Sequence, residues 1–427
     1  MILVLLGTAF ALGRIILQYQ EYPFFYDEAI HANGGLALAI ELQNSNLPGF
    51  AQELYSQGFY PPTFSVAKAF AYMLFGSTTS VARGFSLVCL ILALLVIFLF
   101  SQRLWVDFVG GNIVRGGRED GRFLIVSVLR RSFGFHEELT AHQHLAGWVG
   151  LVAVLLTLTS LPLLNASTHV MMEAPGLLVS FIFLWLYYRT FAVSTLDGTH
   201  ARPTAADKRG FTLTSVMLMA VFLTKYTYGV AMLGTVAIME LTMLDWRSAR
   251  QLRQMGSPLL TAAVAPFRPG FNRWLYLFGP FVLLLVWWFG APFKLEQFFG
   301  YATAQPNDAQ WSLNALFFYP RNIALQQLPS PLFGLISILG LVWSLRHFSR
   351  PGMRLLLIYF LVGMLEMFLN FPKIPRFVVT FLPAMHILTG MLLVSAFSSW
   401  LLAFSRQPSS RTDGKRPIGR FSLFTSH

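Results

Sequence analysis

Apolar residues come in long runs along this chain, such as 84–100 and 151–164, broken only by an occasional Ser, Thr or Pro and separated by more polar stretches. Crossing the hydrocarbon core of a bilayer takes about 20 mainly apolar helical residues. The runs predict ten membrane-spanning helices, at roughly 2–19, 84–103, 146–164, 175–190, 211–224, 228–244, 274–291, 331–345, 355–370 and 378–401. A competing stretch, 61–76, opens on Pro61-Pro62 and carries Lys68, so it is read as a helix lying at the surface. The first run starts at Ile2 without a basic segment before it or a small-residue cleavage site after it. It is therefore read as a retained helix rather than a signal peptide. The expected fold class is all-α, a polytopic membrane protein with juxtamembrane helices in its first outer loop.

Charge orients this arrangement. Basic residues collect in cytoplasmic loops. With the N-terminus in the cytoplasm, 23 of the 31 Lys and Arg residues fall inside, Arg14 lies in the first span, and seven fall outside. The inside set includes Arg115, Arg118, Arg122, Arg130 and Arg131, then Arg247, Arg250 and Arg253, and Arg411, Lys415 and Arg416 of the tail. Counting 61–76 as a full span would put these clusters outside. The outer face is then built from 20–83, 165–174, 292–330 and 371–377, with Lys225 in a very short turn. The expected organisation is one transmembrane unit, 1–405, holding the first outer loop (20–83) and a basic cytoplasmic insertion (104–145). A basic tail, 406–427, is expected to be disordered.

Composition agrees. Of the 427 residues, 55% are hydrophobic and only 12% are charged, against about 25% charged in soluble proteins. The net charge of +12 follows from the orientation rule and implies no nucleic-acid partner. The single cysteine, Cys89, lies in an apolar run, which excludes disulfides and cysteine metal clusters.

In so sparsely charged a chain, adjacent carboxylates at a membrane edge point to function. Asp27 and Glu28 stand together just after the first apolar run, and on a helix starting at Asp27 the next turn brings His31 onto the same face. The bland alternative is that Asp27 only caps that helix. Tyr60-Pro61-Pro62 fixes an extended entry to a second helix. Arg83, Lys225, Arg321, Lys373 and Arg376 are outer cations at span ends. Singly each could snorkel to lipid headgroups; as a set they could grip a phosphate. Glu173, in Met-Met-Glu-Ala-Pro, reads equally as a supporting acid, a metal ligand or a helix N-terminal acid placed by the dipole. Other signals fail. His136-Glu137-Glu138 has Thr140 where a zinc protease has its second histidine, and the Gly110–Gly117 stretch lacks the ending of a phosphate loop. His142 and His144 have no third ligand. The triplet Asn165-Ala166-Ser167 is a sequon that hugs the membrane.

An ordered set of short motifs resembles the C superfamily of glycosyltransferases, in particular protein O-mannosyltransferases and lipid A aminoarabinose transferases. The set is Tyr26-Asp27-Glu28-Ala29-Ile30-His31, Tyr60-Pro61-Pro62, Phe75-Gly76 followed by Val81-Ala82-Arg83, Leu223-Thr224-Lys225-Tyr226-Thr227, and Pro375-Arg376-Phe377 before Leu382-Pro383. It departs from the pattern at Tyr60, where a His or Lys is usual, at Glu173, where Asp is common, and in the long 107–145 insertion. The resemblance implies inverting transfer of a sugar from a polyprenyl phosphate to a lipid, glycan or protein acceptor. The setting implied is the outer face of a membrane, such as the periplasmic side of a bacterial inner membrane. It implies Asp27 as base and Glu28 in support. Arg83, Lys225 and Arg376, in that order, would bind phosphate, with Arg321, His31, Tyr60 and Glu173 around them. A divalent ion at Asp27 and Glu28 would be optional. Tyr22, Phe24, Phe25 and Tyr26 would stack on sugar or line a lipid groove. The rival reading is a transporter or flippase for a lipid-linked or anionic substrate, kept open by Arg14 and Glu366 inside spans.

Overall fold

The computed structural model describes residues 1–57, 60–118, 136–196, 205–244, 251, 253–255, 271–290, 292–303, 312–369 and 373–405. The central part of the basic insertion, Arg247 and Arg250, and the tail 406–427 lie outside the described residues. The rest is helical, with no strand among the described residues.

The first span is α1 (Ile2–Gln18), and the outer loop after it folds into α2 (Tyr26–Gln43), α3 (Leu47–Ser56) and α4 (Thr63–Phe75). Then follow α5 (Thr79–Arg118), α6 (His136–Leu158), α7 (Leu161–Ser167), α8 (Glu173–Leu196), α9 (Ala205–Phe222) and α10 (Tyr226–Leu241). The last third holds α11 (Phe271–Trp288), α12 (Pro292–Thr303), α13 (Leu313–Asn322), α14 (Pro331–Arg346), α15 (Pro351–Leu369) and α16 (Leu382–Ser405). A π turn, Ile323–Gln327, follows α13, and a 3-10 turn, Pro375–Val378, precedes α16. Each of the ten predicted spans is centred on one of these helices. Three single helices are long and apolar enough to cross a membrane, and up to six spans result if each bent pair counts as one. Faces of α1, α11 and α14 leave Leu3, Phe10, Leu283, Val286, Leu335 and Ile338 exposed, as a bundle set in hydrocarbon requires.

Two expectations need correction. The span predicted at 146–164 is not straight: α6 and α7 meet at 78°. Ser160 caps α7 by accepting from the Leu163 N–H at 3.3 Å, and Pro162 lies in the first turn, where its missing N–H is harmless. The helix at 61–76 forms, but Lys68 does not face water. Its stem lies against Gly35 of α2, its ammonium donates to the His31 carbonyl, and it sits 4.1 Å from the centre of the Phe64 ring. A long apolar stem lets lysine enter a packed interface wherever a carbonyl and an aromatic face receive its head.

The main core joins α5, α6, α8, α10, α15 and α16. A second, smaller core forms where α2 and α4 meet the start of α5 and the turn before α8, around Leu38, Ala39, Phe64, Ala82, Val170 and Met172. The candidate site lies at the junction of the two.

Candidate functional site

The first turn of α2 sets the site. Glu28 Oε2 accepts from the Phe25 N–H at 3.0 Å, reaching back from the third helical position to the N-cap backbone as the glutamate half of a capping box does; Phe25 has no oxygen to supply the other half. Arg83, at the start of α5, grips both oxygens of the same carboxylate, with Nε to Oε1 and Nη2 to Oε2 both at 3.1 Å. The Val170 N–H adds a bond to Oε1 at 2.9 Å. Burial raises the pKa of Glu28, but these donors outweigh it and hold the carboxyl below its ordinary range. Arg83 Nη1 donates to the Tyr19 carbonyl, and its guanidinium lies over Phe24. The pair is almost fully buried, at 4% and 1% side-chain exposure. It ties α2 to the end of α1, to α5 and to the turn leading into α8.

Asp27, one residue earlier, faces another way. Its Oδ2 accepts from Arg376 Nη2 at 2.7 Å, with both side chains more than a quarter exposed. Arg376 sits on the 3-10 turn, and its Nε lies 3.4 Å from Glu173 Oε1. That same oxygen receives Lys225 Nζ at 3.5 Å. Lys225 is held at the break between α9 and α10, in extended backbone, with its ammonium 4.2 Å from the Phe377 ring centre and 4.9 Å from that of Tyr228. Burial lowers the pKa of Lys225, while Glu173 and Glu366 of α15 oppose the shift. For Arg376, burial is outweighed by Glu173 and Asp27, which raise it. The result is a chain of alternating charge, Asp27–Arg376–Glu173–Lys225, drawn from four separate elements. The other Glu173 oxygen is buried without a hydrogen-bond partner among the described residues.

Of the remaining predicted residues, His31 is buried one turn on from Asp27. Its ring meets Tyr60 at 4.4 Å and Phe64 at 5.7 Å, both edge-on. Burial and the cations Lys68, Lys225 and Arg376 push its pKa down to about 3, so it is neutral at physiological pH. Arg321 is exposed at the end of α13 and takes no part in the ion pairs of this group among the described residues. Lys373 donates to the Met367 and Phe368 carbonyls at the end of α15. Tyr22, Phe25 and Tyr26 stand exposed beside the start of α2. Sequence reasoning did not single out Lys68 or Gln327 as organisers of this region. A lysine in an otherwise apolar helix was a signal for the first; nothing in the sequence marked the second.

The groups present do not build a cation site. Both Glu28 oxygens are engaged, Asp27 faces a guanidinium, and no three His, Cys, Asp or Glu side chains converge among the described residues. What the arrangement offers is one partly exposed carboxylate beside two cations, Arg376 and Lys225. It can take a proton at Asp27 and neutralise an anion at Arg376 and Lys225.

No family model and no curated protein matches this sequence. Solved structures do. ArnT from Cupriavidus metallidurans, bound to undecaprenyl phosphate, aligns at TM-score 0.51 and 14% identity, covering 95% of this chain and 62% of ArnT. The archaeal oligosaccharyltransferase AglB from Archaeoglobus fulgidus, in complex with an inhibitory peptide and a dolichol-phosphate, aligns at TM-score 0.51 and 11% identity, covering 96% and 52%. An Archaeoglobus fulgidus oligosaccharyltransferase in the apo form aligns at TM-score 0.53 and 12% identity. The chain thus shares the fold of ArnT and of AglB and spans about six-tenths and half of their lengths.

Proposed function

We propose that this chain, built on the GT-C membrane fold, is a glycosyltransferase that moves a sugar from a polyprenyl phosphate to an acceptor nucleophile at the outer membrane face. The observation that carries this reading is the Asp27–Arg376–Glu173–Lys225 chain of charges. Its fold neighbours hold undecaprenyl phosphate in ArnT and dolichol-phosphate in AglB.

In the proposed reaction, Asp27 takes the acceptor's proton as the acceptor attacks the anomeric carbon. The bond from that carbon to the phosphate oxygen breaks, and its electron pair leaves with the phosphate. Arg376 and Lys225 stabilise the growing charge. A single displacement inverts the anomeric configuration. Glu28 and Arg83 fix the first turn of α2, so that Asp27 projects toward Arg376. Glu173 holds the two cations apart and oriented until phosphate arrives.

The test is product formation by protein in nanodiscs, supplied with a panel of undecaprenyl-phosphate sugars and envelope acceptors. Asp27→Asn should lower the rate by about 10²–10⁴-fold without loss of folded protein. Unchanged transfer would remove Asp27 as base. Movement of the lipid between leaflets with no glycosylated product would favour the translocating reading instead.

A further inference from the structure

One buried amide sits where three elements meet. Gln327, the last residue of the π turn, is fully buried. Its Oε1 accepts from Ser160 Oγ, at the break between α6 and α7. Its Nε2 donates to Asn322 Oδ1 at 3.1 Å and to the Pro375 carbonyl at 3.0 Å. Its own carbonyl accepts from Thr159 Oγ1 at 3.1 Å. Chemistry fixes the orientation of the amide: a flipped side chain would set its oxygen against two other oxygens. Turns of the π type are rare and recur at functional sites.

Pro375 immediately precedes Arg376. The turn that carries them is short, closed by Phe377 N–H to Ile374 O at 3.1 Å and Val379 N–H to Arg376 O at 3.3 Å. Pro375 has no N–H with which to anchor itself. The Gln327 bond fixes the Pro375 carbonyl, hence the peptide plane between Pro375 and Arg376, hence the direction in which the Arg376 side chain leaves the backbone.

We propose that Gln327 is a positioning residue that sets the aim of Arg376 at the anion site. Its functional consequence rests on the reading of Arg376 as a ligand of the donor phosphate. Gln327 itself touches no substrate; it acts through the Pro375 carbonyl.

Two measurements test this. The first needs no ligand: hydrogen exchange of the backbone amides of 376–381 in detergent-solubilised full-length protein. Gln327→Met should speed that exchange. Ser160→Ala removes a different bond to the same side chain and leaves the Pro375 bond, so it should not, even if it lowers overall stability. Equal exchange in wild type and Gln327→Met, or equal acceleration in Ser160→Ala, would overturn the proposal. If Gln327→Met does not fold, Gln327→Glu carries the same expectation, since it keeps the shape but turns an oxygen toward Pro375.

The second is a double-mutant cycle on undecaprenyl phosphate binding in nanodiscs. Gln327→Met and Arg376→Gln should each weaken binding about tenfold, and the double variant no further than the weaker-binding single one. A full additive loss of about a hundredfold would mean that Gln327 acts independently of Arg376. Failure of the wild-type protein to bind the probe would remove the transferase reading, and the exchange measurement would still decide the positioning role.

Discussion

Arg83→Met isolates the buried half of the site. The substitution keeps much of the stem but removes both guanidinium bonds to Glu28 and the bond to the Tyr19 carbonyl. Glu28 would be left 1% exposed with only the Phe25 and Val170 N–H groups. Breaking a buried pair from one side costs about 3–5 kcal/mol. A second route to the magnitude agrees. The stranded carboxylate can escape its charge by taking a proton, and from an ordinary pKa of 4.5 that costs about 3.4 kcal/mol at pH 7, at 1.36 kcal/mol per pH unit. The penalty should therefore approach about 3 kcal/mol at pH 7 and shrink toward pH 5, where protonation is cheaper. Wild-type Glu28 behaves oppositely. Its depressed pKa contributes stability that is present above about 4.5 and is lost as pH falls through the lower folded value. Adding Glu28→Gln to Arg83→Met should restore part of the loss, because the neutral amide needs no guanidinium. The assay is denaturant unfolding of the purified protein in detergent micelles at pH 7 and pH 5. An Arg83→Met protein as stable as wild type at pH 7 would refute the argument. If it also lost affinity for undecaprenyl phosphate, Arg83 would be a phosphate ligand instead.

Two further tests probe packing and titration. His31 titrates at about 3 in the folded protein against 6.5 when unfolded. Its contribution should therefore be full above pH 6.5 and decline below it, by up to about 1.4 kcal/mol per pH unit. His31→Phe should flatten the stability curve between pH 6.5 and 4 relative to wild type; parallel curves would contradict the assignment. A Cβ on Gly176 would lie 2.3 Å from the Tyr228 ring, which is itself buried beside Lys225. Gly176→Ala should cost about 1–3 kcal/mol and shift Lys225 with the ring, reducing transfer. Wild-type stability and rate in that variant would show that α8 and α10 have slack.

The spans were legible because hydrocarbon demands unbroken apolar length, a property that each segment carries locally. The break at Ser160 was less so. Its serine cap and proline were in plain view, yet the apolar run continued across them. Asp27, Lys225, Arg376 and Glu173 could be named as candidates because charge at a membrane edge is costly and therefore rare. Which cation meets which acid was not legible. Arg83 and Arg376 look alike in sequence, both sitting beside spans, and only packing shows that one is engaged by Glu28 inside a core while the other meets Asp27 at an open edge. Gln327 left no trace, since a neutral amide in a polar loop is ordinary until three elements converge on it.

The pairing of Asp27 with Arg376 joins residues 349 positions apart, whereas Glu28 and Arg83 are separated by only 55. At about 5–20 residues per second, translation takes roughly 20–70 s to deliver the second partner after the first. The helix bearing the acid can thus be braced early, while the acid itself lacks its counter-charge until nearly the whole chain has been made. On the proposed reading, competence for transfer would therefore arrive late in biogenesis, and a chain ended before Arg376 would lack the Asp27–Arg376 pair.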